Sequence, residues 1–268
     1  MTDGQENSYS SSLGGLHAIV TGGGRGLGVT LAASLARAGA SVTIMGRDPT
    51  HLAETTTHLM KRGGVTVRSV VCDVSEPESI AVAFAAATDV LGPADILVNN
   101  AGQARSAPFT ETSLEMWRRT LDVNLTGAFL CSQQVLPYMV GIRRGRIVNV
   151  ASTAALRGYA TLAAYCASKH GLLGLTRSLA AEVAQFEVTV NAVCPGYTEG
   201  GMSDQAVQAI MALQKVSAED ALAKLVRHSP RRRLTTQDEV AATVTWLCST
   251  DAAAVTGQAI AVAGGEIM

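Results

Sequence analysis

The sequence predicts a single α/β domain built on a doubly wound parallel sheet of about seven strands. Three observations carry that prediction. Short β-branched runs alternate with longer Ala/Leu-rich stretches, as βαβ units require. The first six runs are near-continuous in apolar residues, the mark of strands covered on both faces. A glycine-rich turn follows the first run and opens the first helix. Right-handed crossovers then place helices on both faces of the sheet.

Strands are expected at 16–21, 41–45, 66–72, 95–99, 145–151, 189–193 and 259–262. Helices are expected at 26–38, 49–62, 76–91, 113–139, 159–184 and 238–249. Capping signals support several starts: Ser75 with Glu78, Thr112 with Glu115 and Thr236 with Glu239 each place a hydroxyl three residues before a carboxylate. Gly39 and Gly63 stand where C-terminal caps belong. The alternation breaks only at 200–230, which reads as one or two extra helices with an apolar side, a substrate lid inserted before the last helix. No linker or repeat divides the chain, so 13–268 is expected to be one domain. Residues 1–12 are polar, without the basic start and apolar run of a signal peptide, and are expected to be a disordered tail.

Composition narrows the function. Hydrophobic residues are 47% and charged residues 16%, enough apolar material for a sizeable core. A formal charge of −1 offers no bulk basicity for nucleic acid. Aromatics at 4% beside 26 glycines suit close helix-on-sheet packing. Five widely spaced cysteines without a C-x-x-C argue against disulfides and a zinc site and for a reducing compartment, so no metal is expected. No apolar run approaches the roughly 18 residues of a membrane span. The reading is cytoplasmic, with neither membrane nor nucleic acid as partner.

The glycine turn reads Thr21-Gly22-Gly23-Gly24-Arg25-Gly26-Leu27-Gly28. Glycines there let the backbone turn tightly and approach a pyrophosphate, while the next helix offers free amides and its positive dipole end. The spacing is G-x-x-x-G-x-G, and no Gly-Lys-Ser/Thr follows to make a P-loop. This segment resembles the signature of the short-chain dehydrogenase/reductase family. Four further segments match in order: Asn99-Asn100-Ala101-Gly102, Asn124 in VNLTG, Ser152 with Tyr165-x-x-x-Lys169, and Pro195-Gly196. The resemblance runs from about Leu16 to Gly265, and its overall look is that of bacterial 3-oxoacyl-thioester reductases and polyketide-type ketoreductases. It implies a Rossmann-type fold.

Tyr165 and Lys169 lie four apart, on one face of a predicted helix. An ammonium near a phenol favours the phenolate and lowers its pKa. By resemblance Tyr165 is the catalytic acid/base, and Lys169 lowers its pKa and holds the nicotinamide ribose. Ser152 hydrogen-bonds the substrate oxygen, and Asn124 completes a proton relay through a water. His170 points about 100° away from Lys169 and reads as surface or packing. Nothing activates Cys166.

The cofactor is expected to be NADP(H). A carboxylate at the end of the second strand would favour a free ribose 2′-hydroxyl; here Gly46 stands in that place and Arg47 follows. Arg25 is a second guanidinium suited to a 2′-phosphate. Asp48 is expected to cap the next helix. By resemblance Asp73, with Val74, contacts adenine. Asn100, Ala101 and Gly102 lie at the fourth strand's end near the cofactor, and Asn99 ties neighbouring strands.

The pattern departs in one stretch. The family's Pro-Gly-x-x-x-Thr becomes Pro195-Gly196-Tyr197-Thr198-Glu199-Gly200. Either Thr198 replaces the missing threonine on the nicotinamide or backbone groups suffice, and Gly200-Gly201 is either a lid hinge or an irregular loop. Arg231-Arg232-Arg233 reads as a solvated run, with a phosphorylated carrier as the alternative.

The leading expectation is NADPH-dependent reduction of a ketone or 3-oxoacyl-type carbonyl, with a small-molecule substrate that includes acyl thioesters. The alternatives are an NAD(P)-dependent secondary-alcohol or polyol dehydrogenase, and a non-catalytic dinucleotide sensor or scaffold. The long helices at 113–139 and 159–184 carry surplus apolar surface, and the resemblance implies a homotetramer, with a dimer as the alternative.

Overall fold

A computed structural model describes residues 13–61 and 65–267. The expected tail at 1–12, the end of the second predicted helix and the Gly63 cap lie outside the described residues.

The strands are β1 (His17–Thr21), β2 (Ser41–Gly46), β3 (Val67–Val71), β4 (Ile96–Asn99), β5 (Gly145–Val150), β6 (Val188–Pro195) and β7 (Ala259–Val262). They form one parallel sheet in the order β3-β2-β1-β4-β5-β6-β7. The helices are α1 (Leu27–Arg37), α2 (Pro49–Met60), α3 (Pro77–Leu91), α4 (Leu114–Leu121), α5 (Gly127–Gly141), α6 (Ala163–Val183), α7 (Gly201–Gln214), α8 (Ala218–Leu225) and α9 (Gln237–Cys248). The strand order reverses between β1 and β4, and such a switch point opens a crevice at the carboxyl ends of the strands.

Strand side chains alternate between two cores. Ala18 and Val20 of β1 face the layer containing α1 and α9, while Ile19 faces α3, α5 and α6. Ala32 and Ala33 of α1 and Ala241 of α9 are buried, so the backbones of this layer come close. Thr30 Oγ1 donates to Gln237 Oε1 at 2.6 Å, joining the two helices.

Several sequence expectations need correction. β3 is a sheet edge: only Val67 is buried, while Arg68, Ser69 and Val71 face solvent. Its apolar run therefore does not mark two covered faces. The helix expected at 113–139 is divided by a π-helical turn at Asp122–Thr126. The helix expected from 159 starts at Ala163, because Tyr159 is held by Thr153 and Glu266 and Thr161 has φ +65°. Ser113, not Thr112, caps α4. Ser75 caps nothing; its hydroxyl and amide turn back to Asp73, and Glu76 precedes α3. The Thr236–Glu239 capping box forms as expected, and Gly39 sits past α1 at φ +99°.

The 200–230 insertion folds as α7 and α8, which pack chiefly on each other. The arginine run that follows is structural. Arg231 and Arg233 both pair with Glu239, at 2.7 and 2.6 Å, and Arg232 donates to the Arg227 carbonyl.

At the far end of the sheet, His17 is buried. Its Nδ1 faces the Gly92 carbonyl at 2.8 Å and its Nε2 faces Thr43 Oγ1 at 2.9 Å. A carbonyl only accepts, so the proton sits on Nδ1 and Nε2 accepts from the threonine. Burial is the largest effect and pushes the imidazole below 6.5, against the opposing Gly92 and Asp95. The folded state thus resists a proton that the unfolded chain takes up. This contribution to stability is full above pH 6.5 and fades as pH falls through and below that value. Thermal melts between pH 7.5 and 5 should show it, and His17→Gln should flatten the slope; an unchanged slope would clear His17.

Candidate functional site

The crevice is closed at its base by side chains. Thr21 Oγ1 accepts from the amides of Asn100 and Ala101 at 3.0 and 3.1 Å. Asn100 Nδ2 donates back to the carbonyls of Thr21 and Gly22 at 3.0 and 3.2 Å. The glycine turn after β1 is thereby stitched to the loop after β4. A Cβ on Gly22 would come within 2.9 Å of Ala101 Cα, and one on Gly28 within 2.1 Å of the Gly22 carbonyl. Both positions therefore require glycine. A Cβ on Gly24 would come within 3.2 Å of the Leu52 side chain. Gly26 is different: its φ is +53° and a Cβ there would meet nothing within 4 Å. It is the N-cap of α1 and supplies no capping side chain, so the first amides of that helix, beginning at Leu27, are open to an anion. Arg25 is exposed beside this opening. These residues fit a dinucleotide pyrophosphate.

At the adenosine end, Asp48 caps α2, accepting from the Thr50 and His51 amides, as expected. No carboxylate side chain occupies Gly46, and Arg47 extends past it, 59% exposed. Asp73 sits below. Burial would raise its carboxyl, but Ser75 foremost, then Arg119 and Arg47, hold it under the usual carboxylate range. Arg119 lies 3.3 Å from Asp73 Oδ2 and Arg47 lies 3.9 Å from it. Asp73 is thus already engaged by protein groups. Sequence reasoning passed over Arg119, whose signal lay only in its place on α4, one turn before Asn124. It also passed over Gly127, where a Cβ would come within 2.5 Å of the carbonyl of the buried Val74.

The π-helical turn aims Asn124 inward, as such turns do at functional sites. Asn124 is 1% exposed. Its Oδ1 accepts from the Gln103 amide at 2.9 Å, and its Nδ2 donates to the Gln103 carbonyl and to Ser168 Oγ. Both amide hydrogens are committed, leaving one Oδ1 lone pair. Gly102 separates Asn124 from Lys169: its Cβ would lie 3.4 Å from Oδ1 and 3.7 Å from Nζ.

Ser152 follows β5, and its Oγ accepts from the Ala154 amide at 3.1 Å. Tyr165 and Lys169 project from the first turns of α6, both buried. Lys169 Nζ donates to the Val150 carbonyl at 2.7 Å and stands 5.8 Å from the centre of the Tyr165 ring. Burial pushes the phenol up, and the Ser152 hydroxyl is the group that pulls it down. The Lys169 ammonium is thus directed at the Val150 carbonyl, with the Tyr165 ring beside it. Burial also lowers Lys169 itself, to about 8.

The remaining candidates are placed as follows. Thr198 Oγ1 donates to the Gly196 carbonyl at 3.1 Å, just past the buried Pro195. Gly200 is fixed, since Gln237 Nε2 lies 2.7 Å from its would-be Cβ and donates to the Glu199 carbonyl. Of this pair, Gly201 is the one with open space around it. His170 is exposed and bonds the Cys166 carbonyl, a local helix contact. All five cysteines are free and buried, and the described residues hold no cluster suited to a metal.

A switch-point crevice with a phosphate-binding turn on one wall and a serine, tyrosine and lysine on the other defines a dinucleotide-dependent oxidoreductase. The family model described as short chain dehydrogenase matches residues 16–210, and the chain belongs to that family. A Streptomyces violaceoruber protein named as a ketoacyl reductase of the granaticin polyketide synthase is 41% identical, over 92% of both chains. The 3-oxoacyl-[acyl-carrier-protein] reductase of Aquifex aeolicus is 38% identical, over 94% of this chain and 98% of its own. A crystal structure of an actinorhodin polyketide ketoreductase variant with NADPH superposes with a TM-score of 0.90 at 38% identity, covering 94% of this chain and 97% of its own.

Among the described residues Lys169 is a buried cation without a carboxylate partner, so its charge opposes folding. Below its folded value of about 8 the cost is complete. Above that the folded state sheds the proton, and the cost is gone once pH passes the ordinary 10.5. Lys169→Met should therefore lose turnover yet raise the melting temperature at pH 7, with the gain shrinking toward pH 10. A lower melting temperature at pH 7 would contradict this.

Proposed function

We propose that the protein is an NADPH-dependent ketoreductase that reduces the ketone of a 3-oxoacyl-type substrate, presented as an acyl thioester, to a secondary alcohol. The observation that carries this reading is the convergence of Ser152, Tyr165 and Lys169 on the crevice beside a glycine turn whose ribose end bears arginine and no free carboxylate. The ketoreductase names of the most similar relatives support the substrate class.

When bound, NADPH would supply the hydride that the carbonyl carbon receives. Ser152 donates a hydrogen bond to the carbonyl oxygen and fixes its direction. Tyr165, kept protonated at neutral pH by burial, gives its proton to that oxygen as negative charge builds there. Lys169, charged below about 8, holds the nicotinamide ribose and offsets the charge left on the phenol. Asn124 uses its remaining lone pair to hold a water that returns the proton. Arg47 and Arg25 would hold the 2′-phosphate.

Phe129 on α5 and Trp246 on α9 are large exposed apolar side chains in opposite helical layers. Two such faces fit a homotetramer, in which each chain meets two neighbours. Five buried free thiols support a cytoplasmic setting, and no helix among the described residues is long and apolar enough to cross a membrane.

Tyr165→Phe should lower kcat by about 100-fold or more while NADPH still binds, measured by cofactor fluorescence. Surviving turnover would refute the mechanism. Arg47→Asp should lower the kcat/KM preference for NADPH over NADH by about tenfold, and an unchanged ratio would remove Arg47 from phosphate binding. NADPH consumption across 3-oxoacyl thioesters, cyclic ketones and aryl ketones tests the substrate class.

A further inference from the structure

Glu266 lies four residues beyond β7, and its side chain is only 5% exposed. Its Oε1 accepts from the Arg157 guanidinium and, at 2.8 Å, from the Tyr159 hydroxyl. Its Oε2 is pressed against the loop after β6, since a Cβ on Gly196 would come within 2.9 Å of it. The Tyr159 hydroxyl also meets Thr153 Oγ1 at 2.7 Å, and Thr153 is the neighbour of Ser152. The Tyr159 ring packs against the cluster of Ala154, Tyr165 and Cys166, under the Arg157 guanidinium at 4.6 Å.

One buried carboxylate therefore joins the loop after β5, the loop after β6 and the C-terminal segment. A buried carboxylate bound by a guanidinium and a phenol is a firm anchor, because losing either side leaves an unpaired polar group behind. The loop that needs anchoring is the one that departs from Ser152 and returns to the start of α6. Only a short turn at Thr153–Ala155 gives it regular structure before Ala163.

We propose that Glu266 is a positioning residue for the reduction: acting through Tyr159 and Thr153, it sets the register of Ser152 against Tyr165. The proposal rests on the assignment of Ser152 and Tyr165 as the groups that meet the carbonyl. Neither Glu266 nor Tyr159 touches the reacting atoms. Their effect should appear in kcat, while the cofactor end of the crevice, built on other loops, is left alone.

The test uses the full chain with NADPH and acetoacetyl-CoA, comparing Glu266→Ala, Glu266→Gln, Tyr159→Phe and the double variant, with Tyr165→Phe as control. Glu266→Ala should lower kcat about tenfold with KM for NADPH changed by less than about twofold. Glu266→Gln, which keeps an acceptor oxygen, should recover much of the loss. Tyr159→Phe should lower kcat, and the double variant should be no worse than the weaker single one, because both break the same link. Full kcat in Glu266→Ala, or losses that multiply in the double variant, would overturn the proposal. If Glu266→Ala does not fold, the glutamine variant and Tyr159→Phe decide it: normal kcat in both overturns the link. A Tyr165→Phe variant that still turns over would sink the site assignment instead, which separates the two failures.

Discussion

The site depends on how the sheet is closed where it opens. A parallel sheet that reverses its order between β1 and β4 leaves two loops diverging from adjacent strands, with their backbone groups unpaired. Thr21 and Asn100 satisfy those groups reciprocally, hydroxyl to amides in one direction and side-chain amide to carbonyls in the other. Because the stitch is made below the crevice floor, the space above it stays open. The glycines follow from the same constraint. With the loops drawn together, Gly22 and Gly28 have no room for a side chain, whereas Gly26 faces the opening and is glycine for its positive φ.

A second polar chain fixes the opposite wall. Asn99 on β4 donates to Asn149 on β5 at 2.9 Å, and Asn149 donates to Thr176 on α6 at 2.9 Å. All three are buried, so each bond is costly to break. The chain sets α6, which carries Tyr165 and Lys169, against β5, which ends at Val150, two residues before Ser152. Asn124 reaches the same helix by its bond to Ser168. Asn124, Tyr165 and Lys169 are therefore held by helices tied to the sheet, and the loop from Ser152 to Ala163 lies outside that frame.

Strand positions, the glycine turn and the tyrosine–lysine pair were legible because each rests on local sequence: an apolar run, a fixed spacing, one helical turn. What was hidden rests on neighbours distant in sequence. The apolar content of 66–72 could not reveal that β3 lies at an edge, because being last in the sheet is a property of the strand order. Thr112 and Ser113 are both competent caps, and the choice depends on where the preceding turn ends. The π-helical turn inside 113–139 adds no breaking residue that the chain would display. The arginines at 231 and 233 looked solvated because their partner, Glu239, was already assigned to a capping box; it serves both. Glu266 stood in a segment with no motif, and its role depends on Arg157, 109 positions away.

The near-zero net charge also conceals a local arrangement. Asp73 faces Arg119 at 3.3 Å and Arg47 at 3.9 Å, so one carboxylate is shared between two guanidiniums. Arg119 is the better buried of the two and also donates to Ser75, which makes it the stationary partner. Arg47 is 59% exposed, and an exposed ion pair is worth only about 0–1 kcal/mol. A phosphate offers a guanidinium a bidentate, doubly charged acceptor, which is considerably stronger. Arg47 can therefore leave Asp73 for a 2′-phosphate at small cost, while Arg119 stays and keeps Asp73 ionised and in place. With no carboxylate at position 46 to hold it, Arg47 has Asp73 as its only close acidic partner among the described residues, and that partner is already half-satisfied. The weakness of this pair leaves the exposed Arg47 available for the phosphate-binding role proposed for it.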